Sequence, residues 1–358
     1  MLFGYPVSAA TANNWLHECL CEILRSIHAS IQAAKTPPPW PEIIPDQYRK
    51  KLQKRTGLKE RLKTYQIAVE KLTTAEQERI LQALHDQNEI ALLLSCQRNC
   101  EAITDLPTLI REPVKELFEF AFKLLTDLEI RDKHYKEIYD AVPSHTCPFC
   151  GCENFDAPRV PREALDHYLG ESQYPFAASN LRNLVPMGNK CNSRKLAQDI
   201  LTKKDGTRRK SFDPYNCTGI TLSLENSQPF AGTVTTTKAE LPRWQIEFSL
   251  NTEEVLTWDE VFHIRKRYEK DVLDAEFESW LDYFKDWCKS ANFVPNSDQE
   301  LVDGIDRCAT LCEKMGISDR AFLKAAVFRM LHAHCNSGDQ RLISFIRTVI
   351  GVGTSTVN

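Results

Sequence analysis

Long apolar runs are missing from this chain. The longest uninterrupted aliphatic stretch is Ile90 to Leu94, far short of the roughly 20 residues that cross a bilayer, so no membrane span is expected. The opening, Met1-Leu2-Phe3-Gly4-Tyr5-Pro6, has neither the basic start nor the apolar core of an export signal, and a cytoplasmic location is expected. Positive charge is not in excess: 45 basic residues against 49 acidic give a formal net charge of −4. That excludes a protein basic everywhere and leaves nucleic-acid contact to local patches. Internal repeats and low-complexity tracts are absent as well, which leaves ordinary globular folding.

The 358 residues, 42% of them hydrophobic and 26% charged, can bury a real core and suffice for two or three domains. From Ala12 to about Gln32, Trp15, Leu16, Leu20, Ile23, Leu24, Ile27 and Ile31 recur at helical spacing. The proline-rich stretch from Thr36 to Pro45 breaks that pattern and predicts an extended connector. Helix resumes near Gln47. Thr73-Thr74-Ala75-Glu76 reads as a capping box opening a helix that runs towards Cys100. Val114, Leu117, Phe118, Ala121, Phe122, Leu124 and Leu125 mark another amphipathic helix. Residues 1–142 therefore form a helical domain, and turn residues dominate 143–216. Beyond 217, the alternation in Ile220–Leu224 and Trp244–Leu250 predicts a strand pair. Thr257-Trp258-Asp259-Glu260 reads as a second capping box before one long helix to Cys288, and residues 297–350 as a further helical bundle. The expected fold class is α+β, mostly α.

Thirteen cysteines are many, but the number is odd and a reducing compartment disfavours disulfides. Cys19 with Cys21, Cys96 with Cys100, and Cys308 with Cys312 fall in predicted helices and read as core or free thiols. Cys147-Pro148-Phe149-Cys150 differs, because it follows His145-Thr146 and leads into Gly151, a turn setting suited to zinc ligands. His332 and His334 beside Cys335 read as helix packing rather than as a second metal site. Two basic patches stand out. Arg49 to Lys63 holds eight basic residues against one acid, and Lys190 to Lys210 eight against two. The second, with Arg194, Lys195, Lys203, Lys204, Arg208 and Arg209, is the expected nucleic-acid contact.

Asp166-His167 lies between the knuckle and that patch. Hydrolysing a phosphodiester at neutral pH needs an activated water, charge stabilisation on phosphorus and help for the leaving oxygen, which one histidine and one divalent ion can supply. His167 suits the general base, its unperturbed pKa lying near 6.5. Asp166 offers a hard oxygen to Mg²⁺ or Mn²⁺. Strand neighbours point to opposite faces, so both serve one site only where the strand ends or bends.

These parts, followed by Asn183-Leu184-Val185-Pro186 and Cys191-Asn192-Ser193-Arg194-Lys195, resemble the HNH family of ββα-metal, or His-Me finger, endonucleases. The likeness covers about residues 147–197. It implies a central ββα nuclease motif at 143–216 between N- and C-terminal helical regions, with Asp166 as metal ligand and His167 as general base. It further implies Asn183 as the residue holding loop and base, and Asn192 on the helix as second ligand of the catalytic ion. Lys195, three residues on, would face phosphate. A subset of the family grips a structural zinc with two Cys-x-x-Cys knuckles. Here the second departs from the pattern, because position 188 is glycine. Cys147, Cys150 and Cys191 remain, and the fourth donor is open among Cys152, Cys217 and His145.

The expected function is an endonuclease acting on DNA, with an effector role in bacterial anti-phage defence suggested by the helical flanks, which imply a protein partner or self-association. Two alternatives stand beside it: a non-catalytic zinc module that binds nucleic acid or protein, and an HNH ribonuclease acting on structured RNA.

Overall fold

The computed structural model describes residues 1–158, 160, 165–196, 198–233 and 240–352. The fold is α+β and mostly helical, with two small two-stranded sheets. It divides into two compact units, the first taking in Phe3–Phe149 and Glu153–Thr218, the second chiefly Gly219–Asn358.

Eight helices open the first unit: α1 Ala9–Ala12, α2 Trp15–Gln32, α3 Asp46–Leu52, α4 Thr56–Val69, α5 Thr74–Asp86, α6 Ile90–Leu94, α7 Thr108–Asp127 and α8 Ile130–Ala141. The amphipathic stripes predicted for α2 and α7 are the buried ones. On α7, Ile110, Val114, Leu117, Phe118, Ala121, Leu124 and Leu125 all face the core. Each large side chain so removed from water contributes about 1.5–3 kcal/mol. The Thr73 capping box is present, with Glu76 N–H donating to Thr73 Oγ1 at 3.3 Å and Thr73 N–H to Glu76 Oε2 at 2.9 Å.

The helix it opens does not run to Cys100. It ends at Asp86, the chain turns through Gln87–Glu89, and α6 follows. Cys96, at φ 58°, and Cys100 lie outside helices and are half-buried. The break has a use, because it turns the side chains of Gln87 and Asn88 towards Phe176 and Asn180.

Strands β1 Leu165–His167 and β2 Leu184–Pro186 pair antiparallel, in the register Leu165 to Pro186, Asp166 to Val185 and His167 to Leu184. Helix α9, Asn189–Lys195, follows. The boundary expected at residue 142 does not separate two cores. Leu165, Phe176, Ala178, Leu181 and Leu184 are buried in the same apolar cluster as residues of α2, α4 and α7. A motif this short has too few apolar residues to close a core of its own, so it completes the helical one.

In the second unit, β3 Leu222–Ser223 pairs with β4 Glu247–Phe248, shorter than the predicted strands. Helices α10 Glu253–Phe262, α11 Ile264–Arg267 and α12 Asp274–Ser290 follow, with a π-helical turn at Tyr268–Leu273. One continuous helix to Cys288 is therefore not formed: His263, at φ 52°, breaks it. The capping box at Thr257 is also absent. The cap position of α10 is Thr252, and Thr257 is buried inside the helix. The predicted bundle is α13 Asp298–Met315, α14 Ala321–Asn336 and α15 Gln340–Ile350. Ser297 caps α13 and Asp339 caps α15. His334 Nε2 lies 2.8 Å from the Ser227 carbonyl oxygen, a packing role. No helix among the described residues is long and apolar enough to cross a membrane.

Candidate active centre and thiol cluster

β1 is only three residues long, and its last two residues reach one cavity of about 400 Å³. Its walls are Asp166, His167, Glu171, Gln173, Lys195, Gln198 and Asp199 with their neighbours. The strand ends at His167, which meets the condition set by the opposed directions of adjacent strand residues.

Asp166 faces α9. Asn192 and Lys195, three residues apart, share one side of that helix, and both reach the carboxylate. With its nitrogen turned inward, the Asn192 amide donates to Asp166 Oδ1 at 3.1 Å and to Oδ2 at 3.2 Å. Turned over, it places an oxygen there, and the two side chains offer three oxygens to one point. Lys195 Nζ lies 2.9 Å from Asp166 Oδ2 and also donates to the His167 carbonyl oxygen. Burial raises the Asp166 carboxyl above its usual range, and Lys195 opposes that shift.

His167 is buried against Phe122, with ring centroids 4.4 Å apart. Nε2 is 3.0 Å from the Ala178 carbonyl oxygen, which only accepts, so the proton sits on Nε2 and Nδ1 keeps its lone pair. Nδ1 faces Glu171, whose Oε2 is 3.6 Å away. Burial lowers the imidazole pKa to about 4, outweighing the Ala178 hydrogen bond, so the ring is neutral at cellular pH. Burial also raises the Glu171 carboxyl, and Glu119 and Asp166 add to it.

Asn183 is fully buried and fixes the loop between the strands. Its Oδ1 accepts from Leu169 N–H at 2.7 Å, and Nδ2 donates to the carbonyls of Leu169 and Ala177 at 3.1 and 3.2 Å. The helical region clamps the far side of that loop. Gln87 Oε1 accepts from Phe176 N–H at 3.1 Å, and Asn88 Oδ1 from Asn180 Nδ2 at 3.0 Å. Asn14 Oδ1 accepts from Leu181 N–H at 3.1 Å, and Phe118 meets Phe176 edge-on at 5.4 Å. Ala178, which holds the imidazole, lies inside this clamp.

No family model, curated protein or solved structure matches the chain.

Several expected roles need correction. Lys195 is 4% exposed and held on Asp166, so it does not lie open to phosphate. Arg209 is fully buried and donates to the Asp199 carbonyl. Arg208 donates to the carbonyls of Leu201, Leu93 and Arg98, at 3.0, 2.8 and 3.3 Å. Both guanidiniums tie the chain together through backbone carbonyls, the forked donors of Arg208 reaching three of them at once. Arg194, Lys203 and Lys204 are exposed, and the two lysines edge a groove that shares Gln173, Gln198 and Asp199 with the site cavity. Asp199 is a wall of the cavity, where it accepts from Tyr174 Oη at 2.9 Å. In the other patch, Lys51 covers the Trp15 ring and Arg61 the Phe120 ring. The last residue of the motif match, Ala197, lies outside the described residues.

A second cluster stands beside the motif. Cys147, Cys150 and Cys191 are buried, with their sulfurs within 4.8 Å of one another. The first two come from a tight hairpin in which Cys147 N–H donates to the Glu153 carbonyl at 2.8 Å and Gly151 takes the φ of 65° that the turn needs. Three soft thiols at this spacing can hold a metal ion and suit zinc. Among the described residues none completes the group as a fourth donor. His145 is turned away, stacked on Tyr139 at 3.9 Å with Nδ1 2.8 Å from the Tyr139 carbonyl oxygen. Cys217 is half-buried and outside the group, its thiol pushed up by burial. Cys152 contacts Cys150, which together with burial pushes its thiol up, but it too lies outside the group. Glu153 takes the space of the absent thiol: a Cβ at Gly188 would lie 2.8 Å from Glu153 Oε2, while Oε1 accepts from Lys190 N–H at 2.8 Å.

The sequence reading missed Glu153, Glu171 and the amides of Asn14, Gln87 and Asn88. Glu171 had a signal, since it stands four residues after His167. The amides had none, because their partners lie 88 to 167 positions away.

Proposed function

We propose that the chain is a metal-dependent endonuclease of the HNH type that hydrolyses phosphodiester bonds in DNA. The observation that carries this reading is a neutral imidazole, with Nε2 anchored on Ala178 and Nδ1 towards Glu171, beside Asp166 at one polar cavity, with the Asn192 amide in contact with that carboxylate and able to turn its oxygen to the same point. His167 Nδ1 takes the proton from the attacking water, and the Nε2–H anchor on Ala178 fixes the tautomer that can do so. Glu171, opposite Nδ1, orients that water. Asn183 holds the loop on which the anchor depends.

The donor set fits a hard divalent ion. The ammonium of Lys195 already stands as a cation on Asp166, and carboxylate and amide oxygens are ligands that Mg²⁺ and Mn²⁺ accept. Asp166 and Asn192 would hold it, and when bound it supplies charge stabilisation at the scissile phosphate and the leaving 3′ oxygen. The resemblance implies 5′-phosphate and 3′-hydroxyl ends. Exposed Arg194, Lys203 and Lys204 supply contacts to the phosphate backbone. The thiol cluster would hold zinc as a structural clamp on the hairpin and α9. The odd count of thirteen cysteines favours a reducing compartment such as the cytoplasm, and the helical flanks favour a partner-controlled effector, such as one serving anti-phage defence.

Incubating the protein with plasmid and Mg²⁺ or Mn²⁺, beside His167→Ala, tests the reading. Nicking or cutting by the parent and none by the variant is expected. Equal activity in both removes His167 as the base. Cleavage of total RNA in place of plasmid would select the ribonuclease alternative, and zinc with no cleavage of either the binding module.

A further inference from the structure

Lys195 is a charged group of the centre that hydrolysis, as proposed above, leaves without a task. A lysine ordinarily carries its ammonium out to water on a flexible stem. Lys195 does the reverse. It is buried, and its ammonium bonds to Asp166 and to the His167 carbonyl, the two residues on which the chemistry depends. Asn192, one turn earlier, reaches the same carboxylate. The oxygens that would ligate a divalent ion are thus already neutralised by a cation on a tether. An ammonium and a divalent ion on one carboxylate repel each other strongly at this depth. Lys195 on Oδ2 therefore competes with an ion for that carboxylate. The cavity offers it somewhere to go, since Glu171 and Asp199 are on the same walls.

We propose that Lys195 is a built-in competitor for the ion position, and that its release couples ion binding to substrate. The inference rests on the nuclease reading. In the free protein the ammonium holds Asp166 and keeps ion affinity low. A phosphodiester entering the cavity offers Lys195 a new anionic partner, the ammonium moves to it, and Asp166 and Asn192 are freed as ligands. Linkage makes the effect reciprocal: nucleic acid tightens ion binding, and the ion tightens nucleic-acid binding by the same factor. The centre would then be armed only where there is something to cut.

The test uses Mn²⁺ alone, titrated into the full chain and followed by the spectroscopic signal of the free ion, for the parent and for Lys195→Met. The methionine variant is expected to bind Mn²⁺ about tenfold or more tightly than the parent. Equal or weaker binding would overturn the proposal. Because that variant can fail to fold, acylation of Lys195 in the parent, read by mass spectrometry, gives a second measure. It is expected to be slow without ion and several-fold faster at saturating Mn²⁺, and an unchanged rate also overturns the proposal. His167→Ala separates this idea from the nuclease reading, since it removes the base but no ligand and should bind Mn²⁺ as the parent does. A parent that shows the Mn²⁺ effects yet cuts no nucleic acid refutes the nuclease and leaves the competition standing.

Discussion

Replacing Asn183 by alanine gives the sharpest structural test of how the loop is held. The side chain has no exposure and makes three hydrogen bonds, two to Leu169 and one to Ala177. Ala177 keeps a second partner, because its carbonyl also accepts from Asn180 N–H at 3.1 Å. Leu169 is completely buried, so its N–H and C=O would both lose the partner that Asn183 provides. An orphaned buried group costs about 1–3 kcal/mol, which puts the loss near 3 kcal/mol. For a unit of this size that lowers the melting midpoint by roughly 6–12 °C. Tryptophan fluorescence is a mixed probe, because Trp15 and Trp40 lie in the first unit and Trp244, Trp258, Trp280 and Trp287 in the second. Amide exchange at Leu169 and its neighbours reports on the loop directly. Asn183→Asp is the control: it keeps the acceptor for Leu169 N–H, loses both donations and buries a charge, so it should be at least as damaging. A loss below about 1 kcal/mol for the alanine variant would mean that the loop is held elsewhere, and the positioning role would fall.

Acid should unfold the first unit. Burial lowers His17, His28, His134 and His167 to about 4, so the unfolded chain, titrating near 6.5, binds protons first. The stability linked to these groups is full above pH 6.5 and is lost as the pH falls towards 4, at about 2 kcal/mol per site by pH 5. Urea midpoints at pH 7.5 and 5 check this, and equal midpoints would contradict the burial of neutral imidazoles. Asn88→Ala removes bonds to Leu84, Phe176 and Asn180 and should cost about 1–3 kcal/mol while slowing cleavage, although Asn88 is absent from the cavity wall. Unchanged turnover would uncouple the clamp from the chemistry. Cys147→Ser should lower zinc content, measured by elemental analysis, and thermal stability together. Zinc content equal to that of the parent would take Cys147 out of the ligand set.

Much of the first unit was legible because burial and periodicity agreed. In α2 and α7 the apolar stripe in the sequence is the buried stripe, and the Thr73–Glu76 signal caps a real helix. The same four-residue pattern misled at Thr257, where a threonine and a glutamate three apart simply lie inside α10. Helix ends set by distant partners were also invisible. Gln87 and Asn88 leave α5 to bond a loop far along the chain, and nothing local announces that. In the centre, the order of Asp166, His167, Asn183 and Asn192 was readable, and the fold brings them to neighbouring positions. The direction of a long basic side chain was not readable. Lys195 and Arg209 turn inward because buried oxygens await them, and those oxygens belong to folded neighbours rather than to the local sequence.

The amides of Asn14, Gln87 and Asn88 grip the strand-connecting loop from helices that precede it by many residues. A catalytic cassette cut out at its apparent borders would leave those three handles behind. Transplanted into another scaffold, it would keep every residue named in its chemistry and still hold Ala178, and with it the imidazole, loosely. The loop keeps its hold only in a piece of the chain that carries Asn14, Gln87 and Asn88 along with the two strands.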